Sequence, residues 1–232
     1  MYIGVYDDRL GESLGKPASL VRRYGCSAAD QRAIENALQM SLPQGALRTA
    51  VDNAATEAIS AIRHASGTLQ LSPRSDRTRL LFKEAFGTTP EFVPTWRTKS
   101  AKWVDRGDLV AIRLNAVAKL LSGGWIRYFC WGDPKNCPEC SSTPPNYFAC
   151  SSWGKQYVIC LGKAFWTAWK NRDTDTMAST LIHESLHIYF GKLIAHGAKG
   201  RYGSADCYER FVMRITNRFL HSATASACAA SP

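Results

Sequence analysis

Three residues suited to metal chemistry stand close together in the segment TLIHESLHIY, residues 180–189. His183, Glu184 and His187 form the pattern H-E-x-x-H. Residues four apart project from the same face of an α-helix, so both imidazoles can hold one Zn²⁺ ion with Glu184 beside it. The pattern therefore predicts a zinc-dependent hydrolase.

Each residue type has a defined role in that chemistry. Neutral imidazoles bind Zn²⁺ at about 2.0–2.1 Å, and a catalytic site uses three protein ligands, which leaves one position for water. The metal lowers the pKa of that water from about 15.7 toward about 7, and a carboxylate such as Glu184 can take its proton and pass it to a leaving amine. Amide hydrolysis is the reaction that this set predicts.

The residues around the motif favour a metal site over a chance match to the pattern on a solvated helix. Ser185 and Leu186, inside the motif, are uncharged. The neighbouring Leu181, Ile182 and Ile188 are aliphatic, so the sequence predicts a buried helix. Burying two histidines and a glutamate without a partner costs free energy, and the context therefore favours a metal site.

The composition predicts one globular domain. The chain has 232 residues, of which 45% are hydrophobic and 21% charged, and no stretch approaches the roughly 20 apolar residues of a membrane span. We expect an irregular lead-in over residues 1–25 and a single domain over residues 26–232. The first residues do not resemble a secretory signal, so export is expected to need another route or a removed leader.

The charge is strongly basic, with 29 Lys and Arg against 19 Asp and Glu, a net charge of +10. Such a surface suits nucleic acid, an anionic cell surface or acidic substrates, and a solvated basic surface without a specific partner fits as well. No nucleic-acid-binding signature accompanies the charge, so no specific nucleic-acid partner is predicted.

Five of the eight cysteines lie between residues 130 and 160. An even count predicts disulfides and an oxidising destination. The alternative is a second zinc site at Cys137 and Cys140, but a zinc ribbon uses another C-x-x-C, whereas Cys150 and Cys160 stand ten residues apart. The spacing favours disulfides, which would order the long turn-rich segment over residues 132–155.

Apolar periodicity predicts helices in the first half of the chain. Ser27 and Asp30 form a capping pattern that begins the first helix. A longer helix is predicted from about Gln44, with Gly67 beyond its end, and a third covers residues 77–86.

Helical and extended patterns mix in the second half. At the start of residues 108–121 the pattern fits both a strand and a helix. Residues 125–131 and 156–161 are predicted to be partner strands. Asp173 or Thr174 is predicted to begin the motif helix.

The third metal ligand lies outside the motif. Asp206 stands nineteen residues after His187, a separation at which a following helix can return a carboxylate to the metal. Alternatively, Asp206 caps that following helix. Glu209 and His196 are competing ligands.

Further blocks of sequence occur in the order found in one family of zinc proteases. YVICLGKAFW resembles the strand before that family's motif helix, TLIHESLH resembles the helix itself, and SADCYERF resembles a later Asn-Ala-Asp-x-Tyr block. Cys26 and EAFG, residues 84–87, resemble its helical half. Over roughly residues 26–212 the chain thus resembles the deuterolysin and lysine-specific metalloendopeptidase family, the aspzincins.

Together, the motif and the resemblance predict an α+β, zincin-like metalloprotease with a helical N-terminal half on the motif helix and a small antiparallel sheet at the cleft edge. The cofactor is Zn²⁺, with His183, His187 and Asp206 as ligands, and the substrate is a polypeptide. Glu184 serves as general base and acid. Tyr202 matches the family's tyrosine that stabilises the oxyanion, with a half-buried packing tyrosine as the alternative.

One departure from the family concerns the third ligand. The family carries Gly-Thr-x-Asp-x-x-Tyr-Gly after the motif, and its Asp is the usual ligand. Here the corresponding residues read HGAKGRYG, so Tyr202 fits while Lys199 stands in the place of Asp. Lysine is a poor ligand, so Asp206 is expected to replace it, with Glu209 and His196 as alternatives.

Related domains occur among bacterial toxin modules that secretion machines deliver. This likeness implies a protein secreted or delivered to the periplasm or the extracellular space, with a secretion-machine carrier or an immunity protein as partner. Three alternatives stay open: a non-catalytic basic binding module with a closed zinc site, a peptidoglycan amide hydrolase, and a degenerate pseudoprotease, which Lys199 motivates.

Overall fold

A computed structural model describes residues 23–92, 104–132, 137, 146–152, 157–190, 201–220 and 227–228. Within these ranges helices dominate, and a four-stranded sheet accompanies them. The predicted α+β class is thus confirmed. The elements are, in order, β1 (Arg23–Tyr24), α1 (Ala28–Leu38), α2 (Ala46–Gln70), α3 (Asp76–Phe86), α4 (Arg106–Ser122), β2 (Arg127–Phe129), β3 (Ala149–Ser152), β4 (Val158–Leu161), α5 (Lys163–Lys170), α6 (Thr174–Phe190), a 3₁₀ turn (Arg201–Gly203) and α7 (Ala205–Ile215).

Local sequence signals account for the ends of two helices. The Asp30 backbone N–H donates to the Ser27 side chain at 3.1 Å, and the Ser27 N–H donates to the Asp30 carboxylate at 2.7 Å. This capping box begins α1 as predicted. Gly87 ends α3 with a φ of 76°, a left-handed conformation that glycine adopts without strain, and its N–H donates to the Lys83 carbonyl at 2.8 Å.

Helix α2 extends beyond its predicted end, and helix α4 contains the segment that the sequence left open between strand and helix. The predicted end at Gly67 is wrong, because α2 continues to Gln70 and buries Leu69 completely. That burial outweighs the roughly 1 kcal/mol that a glycine costs inside a helix. Residues 108–121, open between strand and helix, belong to α4, and the Asp105 carboxylate accepts the Asp108 N–H at 2.7 Å to begin it.

The sheet is mixed, so the predicted antiparallel sheet is wrong. Its strand order is β1-β2-β4-β3; β2 pairs with β1 and β4 in parallel, and β3 pairs with β4 antiparallel. Residues 125–131 and 156–161 do contain partner strands, with Tyr128 opposite Ile159. They run parallel because the connection between them includes β3, which carries the chain back before β4 begins. At the other edge, Arg23–Tyr24 of the predicted lead-in form β1, whereas residues 1–22 lie outside the described ranges.

Helix α6, which carries the motif, lies at the centre of the fold. It packs against α2, α4, α5 and α7 and against strand β3. Its side chains Leu181, Ile182 and Leu186 are fully buried. Helices of the N-terminal half thus cover the motif helix, as predicted, and fix its orientation.

Disulfide bonds join distant parts of the described chain. Cys26 pairs with Cys130, Cys137 with Cys160 and Cys207 with Cys228, and Cys150 is disulfide-bonded as well. The predicted disulfides are confirmed, and they suit an oxidising environment. Among the described helices, none combines the length and apolarity needed to cross a membrane.

Among the three disulfides with both cysteines described, removal of the longest loop should destabilise the protein more than removal of the shortest. Cys26 and Cys130 stand 104 residues apart, and Cys207 and Cys228 stand 21 apart. Because a longer closed loop restricts the unfolded chain more, we expect losses of about 4–5 and about 3 kcal/mol in the free energy of unfolding. Denaturant unfolding of the two double Cys→Ala variants measures both values. A larger loss for the 207–228 pair would contradict this ranking.

Candidate metal centre

The motif residues lie together on the buried face of α6. The helix begins where predicted, since the Asp173 carboxylate accepts the Thr176 N–H at 3.0 Å. Glu184 and His187 are only 8% and 6% exposed. The predicted burial of this helix is therefore observed, and both side chains are shielded from bulk water.

The two imidazoles converge. The Nε2 atoms of His183 and His187 lie 3.0 Å apart, and the rings meet edge to face with centroids 4.7 Å apart. Two nitrogens bound to one tetrahedral Zn²⁺ at the usual bond length would lie about 3.3 Å apart. The spacing is close to what a shared metal requires.

A carboxylate holds the other nitrogen of His183. The Nδ1 atom donates to Glu209 Oε2 at 2.9 Å, and the Ser179 hydroxyl donates to Glu209 Oε1. Metal-binding histidines commonly donate their second ring N–H to a carboxylate, which fixes the tautomer and orients the ring. When the His183 ring is neutral, this bond leaves its Nε2 lone pair facing His187.

Asp206 and Glu209 approach His183 from the Nδ1 side of its ring. Asp206 Oδ1 lies 3.8 Å from His183 Nδ1, and its Oδ2 accepts a hydrogen bond from the Ser204 hydroxyl at 3.3 Å. One ligand atom from each of His183, Asp206 and Glu209 lies within 4.8 Å of the others. Among the described residues this group does not include His187. Asp206 therefore stands near the predicted site, but on the opposite edge of the His183 ring.

Asp206 does not cap α7. Ser204 holds the cap position, and Asp206 lies inside the first turn, only 4% exposed. A buried carboxylate needs a charged or hydrogen-bonding partner. The capping alternative is therefore wrong.

The surrounding carboxylates make the centre electrostatically negative. Burial lowers the pKa of His183, but the hydrogen bond and charge of Glu209, with the charges of Glu184 and Asp206, outweigh this effect and raise the pKa to about 9. The metal-free ring is therefore positively charged at neutral pH, with a proton on each nitrogen. The same negative environment favours a divalent cation.

Metal uptake should therefore release a proton. Because the folded-state pKa of His183 exceeds its ordinary value of 6.5, protonation stabilises the metal-free protein fully below pH 6.5, and this contribution is lost as pH rises through about 9. Zinc must displace the proton, so its affinity should rise by up to about tenfold per pH unit over this interval. Calorimetric titration at pH 7.5 in buffers of different ionisation enthalpy counts the protons. Zinc binding without proton release would contradict this expectation.

Tyr202 lies in an aromatic cluster. Its ring stacks on Phe86 with centroids 5.1 Å apart, and the Arg106 guanidinium lies 4.3 Å from its ring centroid. Its backbone carbonyl accepts a hydrogen bond from Arg113 at 2.9 Å. Its buried hydroxyl meets no hydrogen-bond partner within the described ranges, and burial raises its pKa. These contacts fit the packing alternative better than the predicted role at an oxyanion.

The hydrogen bond between Glu209 and His183 was not predicted from the sequence, which indicated Glu209 only as a competing metal ligand. A signal was available, because Ser179, His183 and His187 recur every four residues and so share one face of α6. Asp206 and Glu209 similarly share one face of α7. Two facing polar stripes on buried helices indicate a hydrogen-bonded polar network.

Two residues that bear on the third ligand, His196 and Lys199, lie outside the described ranges. Within the described part of the chain, the polar groups at the His183 ring include His187, Asp206 and Glu209. A metal centre is therefore inferred from the positions of these residues. Neither a protein-family model, nor a curated protein, nor a solved structure matches this chain.

Proposed function

We propose that this protein is a zinc-dependent metallopeptidase with a zincin-like arrangement, which hydrolyses peptide bonds. The observation that carries the proposal is the 3.0 Å approach of the His183 and His187 Nε2 atoms on a buried helix that also carries Glu184. The burial of this helix distinguishes it from a chance H-E-x-x-H on a solvated helix.

The donor set fits zinc. His183 and His187 would hold the ion through Nε2, and Glu209 would keep the His183 ring in place, while Asp206 lies on the Nδ1 side of that ring. Imidazole and carboxylate are the ligand types of catalytic zinc sites. When bound, zinc supplies Lewis-acid activation of water near neutral pH.

Glu184 would perform the proton transfers. It follows His183 directly, and its burial separates its carboxylate from bulk water. Such a group can accept the proton of the attacking water and return it to the leaving nitrogen of the cleaved amide. The peptide C–N bond breaks, and one water is consumed.

The sheet supports a polypeptide substrate. Strand β3 is one of the two terminal strands of the described sheet, runs antiparallel to β4 and packs against α6. An extended peptide can add to such an edge through main-chain hydrogen bonds. This placement would carry its amide bonds past the metal centre.

The disulfides and the basic charge support a proposal about where the protein acts. Three described disulfides favour the periplasm or the extracellular space. We therefore propose that the protein is secreted or delivered as a toxin-like effector, with a secretion-machine carrier or an immunity protein as partner. The net charge of +10 would assist binding to an anionic surface, including a peptidoglycan wall whose crosslinks are also amides.

One observation favours a non-catalytic alternative. Ligand atoms of His183, Asp206 and Glu209 lie within 4.8 Å of one another, so these three residues could belong to a closed structural site that does not include His187. Closed sites stabilise a fold, whereas catalytic sites keep one position open. Cobalt substitution separates the two, because an exchangeable water changes the cobalt spectrum when azide is added and a closed shell does not.

The activity itself is tested with zinc-loaded protein and a dye-labelled unfolded polypeptide such as reduced casein. We expect cleavage that stops when 1,10-phenanthroline removes the metal and returns when zinc is restored. Protein that contains one zinc per chain and cleaves neither casein nor a mixed peptide library would contradict the proposal.

A further inference from the structure

Arg113 is a buried arginine on α4, with only 3% of its surface exposed. Its Nη1 atom donates to the Tyr202 carbonyl at 2.9 Å and to the Tyr208 hydroxyl at 2.7 Å. The first acceptor belongs to the 3₁₀ turn before α7, and the second belongs to α7 itself. A buried guanidinium needs such acceptors, because removing its charge from water costs free energy. Arg113 thus ties α4 to the beginning of α7.

The same side chain contacts the end of the motif helix. The central guanidinium carbon of Arg113 lies 5.3 Å from the ring centroid of Phe190, the last residue of α6. A cation over an aromatic ring is attracted to its negative face. The Phe190 ring in turn meets the Tyr208 ring, with the two centroids 5.3 Å apart. Arg113, Phe190 and Tyr208 therefore join α4, α6 and α7 at one place.

This junction adjoins the metal centre on both helices. Phe190 stands three residues, about one helical turn, after His187. Tyr208 directly precedes Glu209, and the Glu209 carboxylate accepts the hydrogen bond of His183 Nδ1 at 2.9 Å. Such a bond requires about 2.7–3.2 Å between its heavy atoms, so a small displacement of α7 from α6 would release the ring. The orientation of His183 thus depends on how closely α7 is held to α6.

We propose that Arg113 is a positioning residue of the metal centre, which holds α7 against the end of α6 so that Glu209 reaches the His183 ring. This inference rests on the zinc centre of the proposed function. Arg113 acts through the position of α7 and not by contact with the ion. Its removal should therefore weaken zinc binding although every candidate ligand is still present.

The contacts of the two tyrosines indicate how the protein would respond to the loss of Arg113. The Tyr208 hydroxyl lies 3.4 Å from the Tyr202 carbonyl and can donate to it when the guanidinium is absent. Both groups then keep a partner, while the turn and α7 are no longer tied to α4. Replacing a buried charge with an apolar side chain of similar volume often leaves stability unchanged. Zinc affinity and stability should therefore respond differently.

The test compares Arg113→Met with Arg74→Met in the full chain. Arg74 is a matched control, because it is also buried but donates to Asp105 at 2.7 Å and to Asp108 at 2.9 Å, at the beginning of α4. A lost partner of a metal-binding histidine weakens binding by about 10–100-fold, so Arg113→Met should weaken zinc binding by about tenfold or more, and Arg74→Met by less than about threefold. Equilibrium dialysis measures both. Wild-type affinity in Arg113→Met, or an equal loss in Arg74→Met, overturns the proposal.

Two milder variants keep the test decisive if Arg113→Met folds poorly. One nitrogen of Arg113 makes both hydrogen bonds, and the Lys ammonium has three donors, so Arg113→Lys should bind zinc within about threefold of wild type. Tyr208→Phe keeps the ring and removes one acceptor, and it should weaken zinc binding by a smaller factor than Arg113→Met. Adding Tyr208→Phe to Arg113→Met should cause little further loss, because the same tie is already broken. Fully additive losses in the double variant overturn the proposal.

A measurement on the metal-free protein separates this inference from the proposed function. The His183 Nδ1 proton, held by Glu209, should give a downfield ¹H resonance in the wild type and in Arg74→Met, assigned by its absence in His183→Gln. In Arg113→Met this resonance should disappear through exchange with water. An unchanged resonance in Arg113→Met overturns the positioning role alone. Wild-type protein that binds zinc but cleaves no peptide overturns the peptidase function alone, and wild-type protein that binds no zinc overturns both.

Discussion

Replacing Glu184 with Gln should lower kcat/KM for peptide hydrolysis by about 10²–10⁴-fold while the bound zinc stays at the wild-type level. Glutamine keeps the shape of the buried side chain but cannot accept the proton of the attacking water. Steady-state kinetics with a fluorogenic peptide and metal analysis of the same sample measure both quantities.

The matched control for this change is Glu84→Gln. Glu84 lies on α3, where its contacts are long ion pairs with Arg210 at 3.9 Å and Arg214 at 3.8 Å. Such surface pairs contribute little to stability, so activity should stay near the wild-type value. A Glu184→Gln protein as active as this control would exclude Glu184 as the general base.

Replacing His187 with Ala should abolish both zinc binding and hydrolysis. One of two converging imidazoles is lost, and the remaining His183 nitrogen cannot hold the ion alone. The loss in zinc affinity should exceed the 10–100-fold that is typical when only a hydrogen-bond partner of a ligand is changed. Equilibrium dialysis against a zinc indicator measures it.

Two further variants complete a graded series. His64 is an exposed histidine on α2, and His64→Ala should leave zinc affinity unchanged. Glu209 orients His183, so Glu209→Gln should weaken zinc binding by about 10–100-fold. If Glu209→Gln weakens zinc binding as much as His187→Ala does, Glu209 is a direct ligand, and the closed-site alternative is favoured instead.

The parts of the fold that short-range physics controls were predictable from the sequence. The capping box at Ser27 and the helix end at Gly87 depend on neighbouring residues, and both are confirmed. The spacing of His183 and His187 fixes a shared helix face, so their convergence also follows from the sequence.

The features that depend on long-range placement were less predictable. The parallel pairing of β2 and β4 follows from the path of the connection between them, which a strand pattern does not encode. Burial of Leu69 extends α2 past Gly67, and burial is a property of the assembled core.

The third ligand and the role of Tyr202 were the least predictable parts of the centre. The nineteen residues between His187 and Asp206 set only a distance range, and not the edge of the His183 ring that the carboxylate meets. Sequence likeness selected Tyr202, which lies among Phe86, Arg106 and Arg113.

The position of bound zinc is the most direct test of the metal centre. In crystals of the zinc-loaded full chain, an anomalous difference map at the zinc edge should show one peak about 2.0–2.1 Å from Nε2 of both His183 and His187. Glu209 should remain hydrogen-bonded to His183 Nδ1. A peak on the Nδ1 side, among His183, Asp206 and Glu209, or no peak at α6, would contradict the account.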